Sequence, residues 1–229
     1  MSFKRLPKEI VDAQSLSNVG IYYVHDEVNM RRGRAMMIGP EGTPYAHCPL
    51  LFQFEFPADY PFSSPSVTFK TSDGATRFHP NLYVEGKVCL SILGTWSGPK
   101  WGAVMTISTV LMSIQSLLEP NPIVNEPGWE TYTLEHDRAR HYAEFVQHGL
   151  IAHSIRNLLN WKRGLLPEAW APFKEVIDER GDELIQNLSK IINEKAGLGE
   201  VSYSVVYNMQ GTTIWKHLAD LVKLPAATL

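Results

Sequence analysis

Leu50, Phe52, Phe54 and Phe56 alternate with Leu51, Gln53 and Glu55 along one short stretch. That period of two predicts a half-buried antiparallel strand. Residues 20–25 (GIYYVH) are rich in β-branched and aromatic side chains and read as a strand before it. Residues 34–38 and 67–71 supply two more. The charged turn 26–33, the Gly/Pro loop 39–44 and the Pro-rich break 57–62 separate them. Four short strands joined in succession predict an antiparallel meander, which needs helices over its apolar face.

Helical spacing appears on both sides of that meander. Residues 3–17 carry Phe3, Leu6, Ile10, Val11 and Leu16 on one face and Lys4, Arg5 and Lys8 on another. Residues 104–118 repeat Met105, Val110, Leu111, Ile114, Leu117 and Leu118 at three and four, until Pro120 and Pro122 end the run. Residues 131–159 do the same with Leu134, Tyr142, Phe145, Val146, Ile151, Ile155 and Leu158, and Gly149 predicts a break between two helices. Beyond 161 a further stripe runs from Trp170 through Ile192, stopped by Gly197 and Gly199, with a strand expected over 201–207 and a last helix over 214–222. Apolar stripes this rich are not those of a free tail. The class is α+β, with a core domain over 1–160 and a helical extension over 161–229 packed on it.

Composition narrows the function. The 229 residues carry a net charge of −3, which argues against a general nucleic-acid binder. No apolar run is long enough for a bilayer, and residues 1–15 lack a secretory signal. Two cysteines without a CxxC pair make neither a disulfide framework nor a thiolate metal site, so a reducing compartment, cytoplasm or nucleus, is expected. His136, His141, His148 and His153 lack the i,i+4 pairing of a zinc helix, and no metal is expected. There is no GxxxxGK[ST] nucleotide loop and no cofactor is expected. Arg31, Arg32 and Arg34 read as a solvated basic group.

The chemistry concentrates in residues 79–129. Cys89 lies between Gly86 and Gly94, ten positions after the His79-Pro80-Asn81 triplet and ahead of an apolar helix. A single intracellular thiol is by default a buried, inert one; the flanking glycines point instead to surface access. A thiol beside a fixed side-chain amide suits acyl carriage, in which sulfur takes the acyl group and N–H donors steady the oxyanion.

His79-Pro80-Asn81, Cys89-Leu90-Ser91-Ile92-Leu93 and a Trp before an apolar helix resemble the core of the ubiquitin-conjugating enzymes. Pro44-Tyr45, Phe54-Glu55-Phe56-Pro57, Tyr60-Pro61-Phe62 and Pro65 extend the resemblance. The longer loop 94–101 and Asn125-Glu126-Pro127-Gly128 are similar to the large Z-type members with a C-terminal extension. The resemblance implies the ubiquitin-conjugating fold. It also implies that Cys89 accepts ubiquitin or a ubiquitin-like modifier as a thioester from an activating enzyme, and passes it to a substrate lysine or a ligase cysteine. It makes Asn81 the oxyanion donor, or a brace for the loop that carries the thiol. Glu126 is the acidic side chain near the incoming amine, and His79, Pro80 and Ser91 are structural at the site. Lys4 and Arg5 meet the activating enzyme, while Phe62 and Trp101 meet ligases. Trp96 is expected to pack under its loop and Cys48, where the family usually has Gly, to pack as a small apolar residue. Gly102-Ala103-Val104 departs from the usual Ser-Pro-Ala, and Ser91 from the Asp of many members. The alternatives are a catalytically inactive variant that binds without chemistry, and a thiol hydrolase of unrelated fold.

Overall fold

The computed structural model describes residues 5–223. Strands β1 (Ile21–His25), β2 (Arg32–Ile38), β3 (Pro49–Glu55) and β4 (Ser66–Phe69) form one antiparallel sheet in chain order. The register pairs Ile21 with Met37, Met37 with Leu50, and Phe52 with Phe69. One face therefore collects Ile21, Tyr23, Ala35, Met37, Leu50, Phe52, Phe54, Val67 and Phe69, all buried. Each such side chain stabilises the fold by about 1.5–3 kcal/mol relative to exposure.

Helix α1 (Leu6–Gln14) is shorter than the expected 3–17 and passes into a tight turn over 15–19. Phe3 and Lys4 lie outside the described residues. Leu6 is buried and Ile10 and Leu16 pack on the core as expected, but Val11 is 63% exposed and Glu9, not expected inside, is 3% exposed. The Glu9 carboxylate accepts from the Ile107 N–H (3.1 Å), the Tyr60 hydroxyl and the Arg5 guanidinium. A buried carboxylate is tolerable only with such compensation, and here a helix N-terminus and an arginine supply it.

Helix α2 (Ile107–Leu117) begins later than the predicted 104 because Thr106 caps it. Its hydroxyl accepts from Thr109 N–H, and the Thr109 hydroxyl accepts in return from Thr106 N–H. Val104 is outside the helix and 88% exposed. Helix α3 (Asp137–Lys162) starts later than 131 and leaves Leu134 exposed. It runs unbroken through Gly149. A Cβ there would lie 3.4 Å from the Phe78 ring, an ordinary contact, so glycine at this position neither breaks the helix nor is required by it.

After α3 come α4 (Lys174–Lys195), the hairpin β5 (Val201–Ser204) and β6 (Gln210–Thr213), and α5 (Trp215–Lys223). The expected strand over 201–207 is the first half of that hairpin. Ile177, Leu184, Leu188 and Ile192 of α4 are buried in the common core. The sheet's second face is covered too: Met36 and Leu51 are buried, and Arg180 of α4 donates to the Tyr22 hydroxyl at 2.9 Å.

Candidate active site

The segment carrying Cys89 is stitched to the sheet edge. Phe69 N–H donates to the Gly86 carbonyl at 2.8 Å. Gly86 has φ +99°, and a Cβ on it would meet the Phe69 carbonyl oxygen at 2.8 Å, so only glycine fits. Three residues on, Cys89 N–H donates to the Asn81 carbonyl (2.8 Å) and the Asn81 side-chain amide donates to the Cys89 carbonyl (2.8 Å). The latter bond accounts for one of the two N–H groups on that amide, whose Oδ1 is buried without a donor.

His79 sets this geometry from below. Its Nε2 bonds the Leu117 carbonyl at 2.9 Å and its Nδ1 bonds the Asn81 N–H at 2.9 Å. A carbonyl can only accept, so the proton sits on Nε2 and Nδ1 accepts. Burial lowers the His79 pKa to about 3 and keeps the ring neutral. No thiol–imidazole bond forms among the described residues, and His79 acts as a strut between the Asn81 turn and the end of α2. Pro80 is buried, and its carbonyl accepts from Arg77.

The two thiols differ. Cys48 is fully buried in the contiguous apolar core, and burial pushes its pKa up to about 12. Cys89 is buried as well, at 1% exposure, though it stands apart from the main apolar cluster. The expectation of an open thiol is therefore corrected. The loop after it folds back instead of standing clear. Thr95 donates through its hydroxyl to the Val88 carbonyl (2.6 Å) and accepts from Leu90 N–H (3.0 Å), and a Cβ on Gly98 would lie 3.1 Å from Ser91 Cβ. Trp96, expected to pack beneath this loop, is 40% exposed. An open cleft of about 370 Å³ runs alongside, between residues 64–68 and 85–88, with Leu93 and Thr95 at its rim.

Glu126 does not hang free in its loop. Its Oε2 accepts from the Tyr207 hydroxyl at 2.6 Å and lies 4.0 Å from Arg77 Nη2. Arg77 stacks between the rings of Tyr83 (3.7 Å) and Tyr207 (4.1 Å). Neither Arg77 nor Tyr207 was flagged by the sequence, because nothing local distinguishes an arginine that will be sandwiched by aromatics.

Phe62 stands 76% exposed on its loop, and Trp101 fixes that loop by donating from Nε1 to the Pro61 carbonyl at 2.7 Å. Arg5, expected to face a partner, is engaged inside the chain with Glu9 and the carbonyls of Ala103 and Met105. Among the described residues no cluster of His, Cys, Asp and Glu could hold a metal, and no helix is long and apolar enough to cross a membrane.

Residues 5–148 match the sequence family described as Ubiquitin-conjugating enzyme. Ubiquitin-conjugating enzyme E2 Z of Homo sapiens is 41% identical over 159 residues, 69% of this chain and 45% of that protein. Probable ubiquitin-conjugating enzyme protein 17 of Caenorhabditis elegans is 33% identical across 90% of this chain, itself 32% of that protein. The chain thus spans about half or less of the curated relatives it matches. Among solved structures, the E2 domain of a Toxoplasma gondii ubiquitin conjugating enzyme superposes with a TM-score of 0.51 at 29% identity, covering 65% of this chain and 95% of that domain. With the meander and the asparagine braced against Cys89 on one scaffold, and with that match across more than half its length, the chain belongs to the ubiquitin-conjugating enzyme family.

Proposed function

We propose that this chain carries ubiquitin or a ubiquitin-like modifier as a thioester on Cys89. The reciprocal pairing of Asn81 with Cys89 carries the reading, since it sets a side-chain amide beside this cysteine. The Cys89 sulfur attacks the thioester carbonyl held by an activating enzyme; the S–C bond forms and that enzyme's thiol leaves with the proton. A lysine amine then attacks the carbonyl on Cys89, the C–S bond breaks, and the thiol is regenerated. A ligase cysteine takes the same role by thiol exchange. ATP is spent by the activating enzyme, so this chain needs no cofactor.

The second N–H of the Asn81 amide is the donor for the oxyanion of the attack step; one such donor is worth about 10²–10³-fold in rate. Glu126 is the carboxylate that receives the incoming amine and its proton. The loop of residues 94–101 must shift to admit the modifier's tail, because Cys89 is only 1% exposed. Residues 1–160 act as the conjugating core and 161–229 as an extension built onto it. Phe62, on the loop pinned by Trp101, is the anchor offered to ligases. With Arg5 anchored, the exposed Lys8 is left on α1 to meet the activating enzyme. The setting is cytoplasmic or nuclear. Incubation with activating enzyme, ATP and a panel of modifiers is expected to give a thiol-reducible adduct; no adduct with any pairing would overturn the proposal.

A further inference from the structure

The β5–β6 hairpin belongs to the C-terminal extension, and its tip reaches the candidate site. The hairpin lies along α3: Tyr203 donates to Glu144 (2.8 Å), Gly211 faces the Phe145 ring so closely that a Cβ would come to 3.0 Å, and Ile214 N–H donates to His148 Nε2 (3.1 Å). Two consecutive non-glycine residues at the tip, Tyr207 and Asn208, hold left-handed backbone with φ of 62° and 56°. Such conformations are uncommon outside glycine and persist where surroundings enforce them. What this turn delivers is a phenol to Glu126 and a ring to Arg77. Arg77 in turn donates to the Pro80 carbonyl, its own N–H donates to Met209 Sδ at 3.1 Å, and its carbonyl accepts from Tyr142 at 2.9 Å.

We infer that Tyr207 is a positioning residue for acyl transfer: its hydroxyl fixes the Glu126 carboxylate beside the His79–Asn81 segment, so that the extension completes the site of the core. This rests on the thioester reading above. Burial also raises the Tyr207 pKa above the ordinary phenol value, which keeps the hydroxyl a donor. The bond fixes one carboxylate oxygen and leaves the other for an incoming amine. Without it only the 4.0 Å ion pair with Arg77 orients the carboxylate.

The test uses the full-length chain charged with ubiquitin by an activating enzyme, then discharged to free lysine over a range of lysine concentrations. Tyr207→Phe keeps the ring over Arg77 and removes only the hydroxyl. It is expected to charge at the wild-type rate and to melt within about 4 °C of wild type, the cost of one lost hydrogen bond. Its maximal discharge rate should fall by about threefold to tenfold, with the lysine KM unchanged, a fraction of the ~10²–10⁴-fold that a positioned proton acceptor supplies. In a Glu126→Gln background the same substitution should add no further loss. Unchanged discharge in a normally charging Tyr207→Phe protein, or an equal loss in both backgrounds, overturns this inference alone. Failure of the wild-type protein to charge removes the thioester reading and this one with it.

Discussion

Asn81 and Cys89 hold each other at both ends: the cysteine N–H donates to the asparagine carbonyl, and the asparagine amide donates to the cysteine carbonyl, each across 2.8 Å. One residue therefore braces the backbone of the thiol and keeps an amide group within its reach. Asn81→Ala removes both functions of that side chain. The lost hydrogen bond costs about 1 kcal/mol, or roughly 2–4 °C in a chain of this size. Discharge of the thioester to lysine should slow by about 10²-fold or more while charging persists. Measured discharge equal to wild type would take Asn81 out of the chemistry and leave it a brace.

Acid should weaken the fold before any carboxylate is protonated. Folding holds His79 neutral down to about pH 3, whereas the unfolded chain takes up that proton near its ordinary 6.5. The stabilisation is thus complete above about pH 6.5 and is lost as pH falls from there toward 3. Burial lowers His25, His148 and His153 in the same direction. For His79 each unit of pH between 6.5 and 3 costs at most about 1.4 kcal/mol. Urea midpoints should fall between pH 7.5 and 5, and His79→Gln should flatten that dependence while starting from a lower midpoint; a pH-independent midpoint would contradict the buried neutral ring.

Phe62 tests separation of surface from core. At 76% exposure its truncation to Ala should leave stability within about 0.5 kcal/mol of wild type. Charging should be unaffected. Ligase-stimulated discharge should drop by about tenfold or more, the loss typical of an aromatic anchor. A fall in melting temperature with intact ligase response would make Phe62 a packing residue.

The strands were legible because one face is buried and a period of two survives in plain view, as at Leu50–Phe56. Helix ends were less so: Thr106 caps α2 through a reciprocal bond that composition does not advertise. Gly149 reads as a break on propensity alone, but one glycine costs only about 1 kcal/mol in a helix and the packing of α3 on the core overrides it. The motif residues Cys89 and Asn81 were identifiable as neighbours in the chain, but the thiol's burial was not, nor was the return of Thr95 onto Val88 and Leu90, which leaves no local signal. The Tyr207–Glu126 bond joins residues far apart in sequence and left no local trace. Glu9 hid for the opposite reason, a charged residue on a helix whose carboxylate is met by the distant Ile107 and Tyr60 as well as by Arg5.

The measurement closest to the central claim is the site of the reducible adduct formed with activating enzyme, ATP and modifier. Cys48→Ser should retain that adduct, because the Cys48 thiol is sealed in the core and held protonated. Cys89→Ser should abolish it. An adduct that survives Cys89→Ser, or that vanishes in a folded Cys48→Ser protein, would contradict the account.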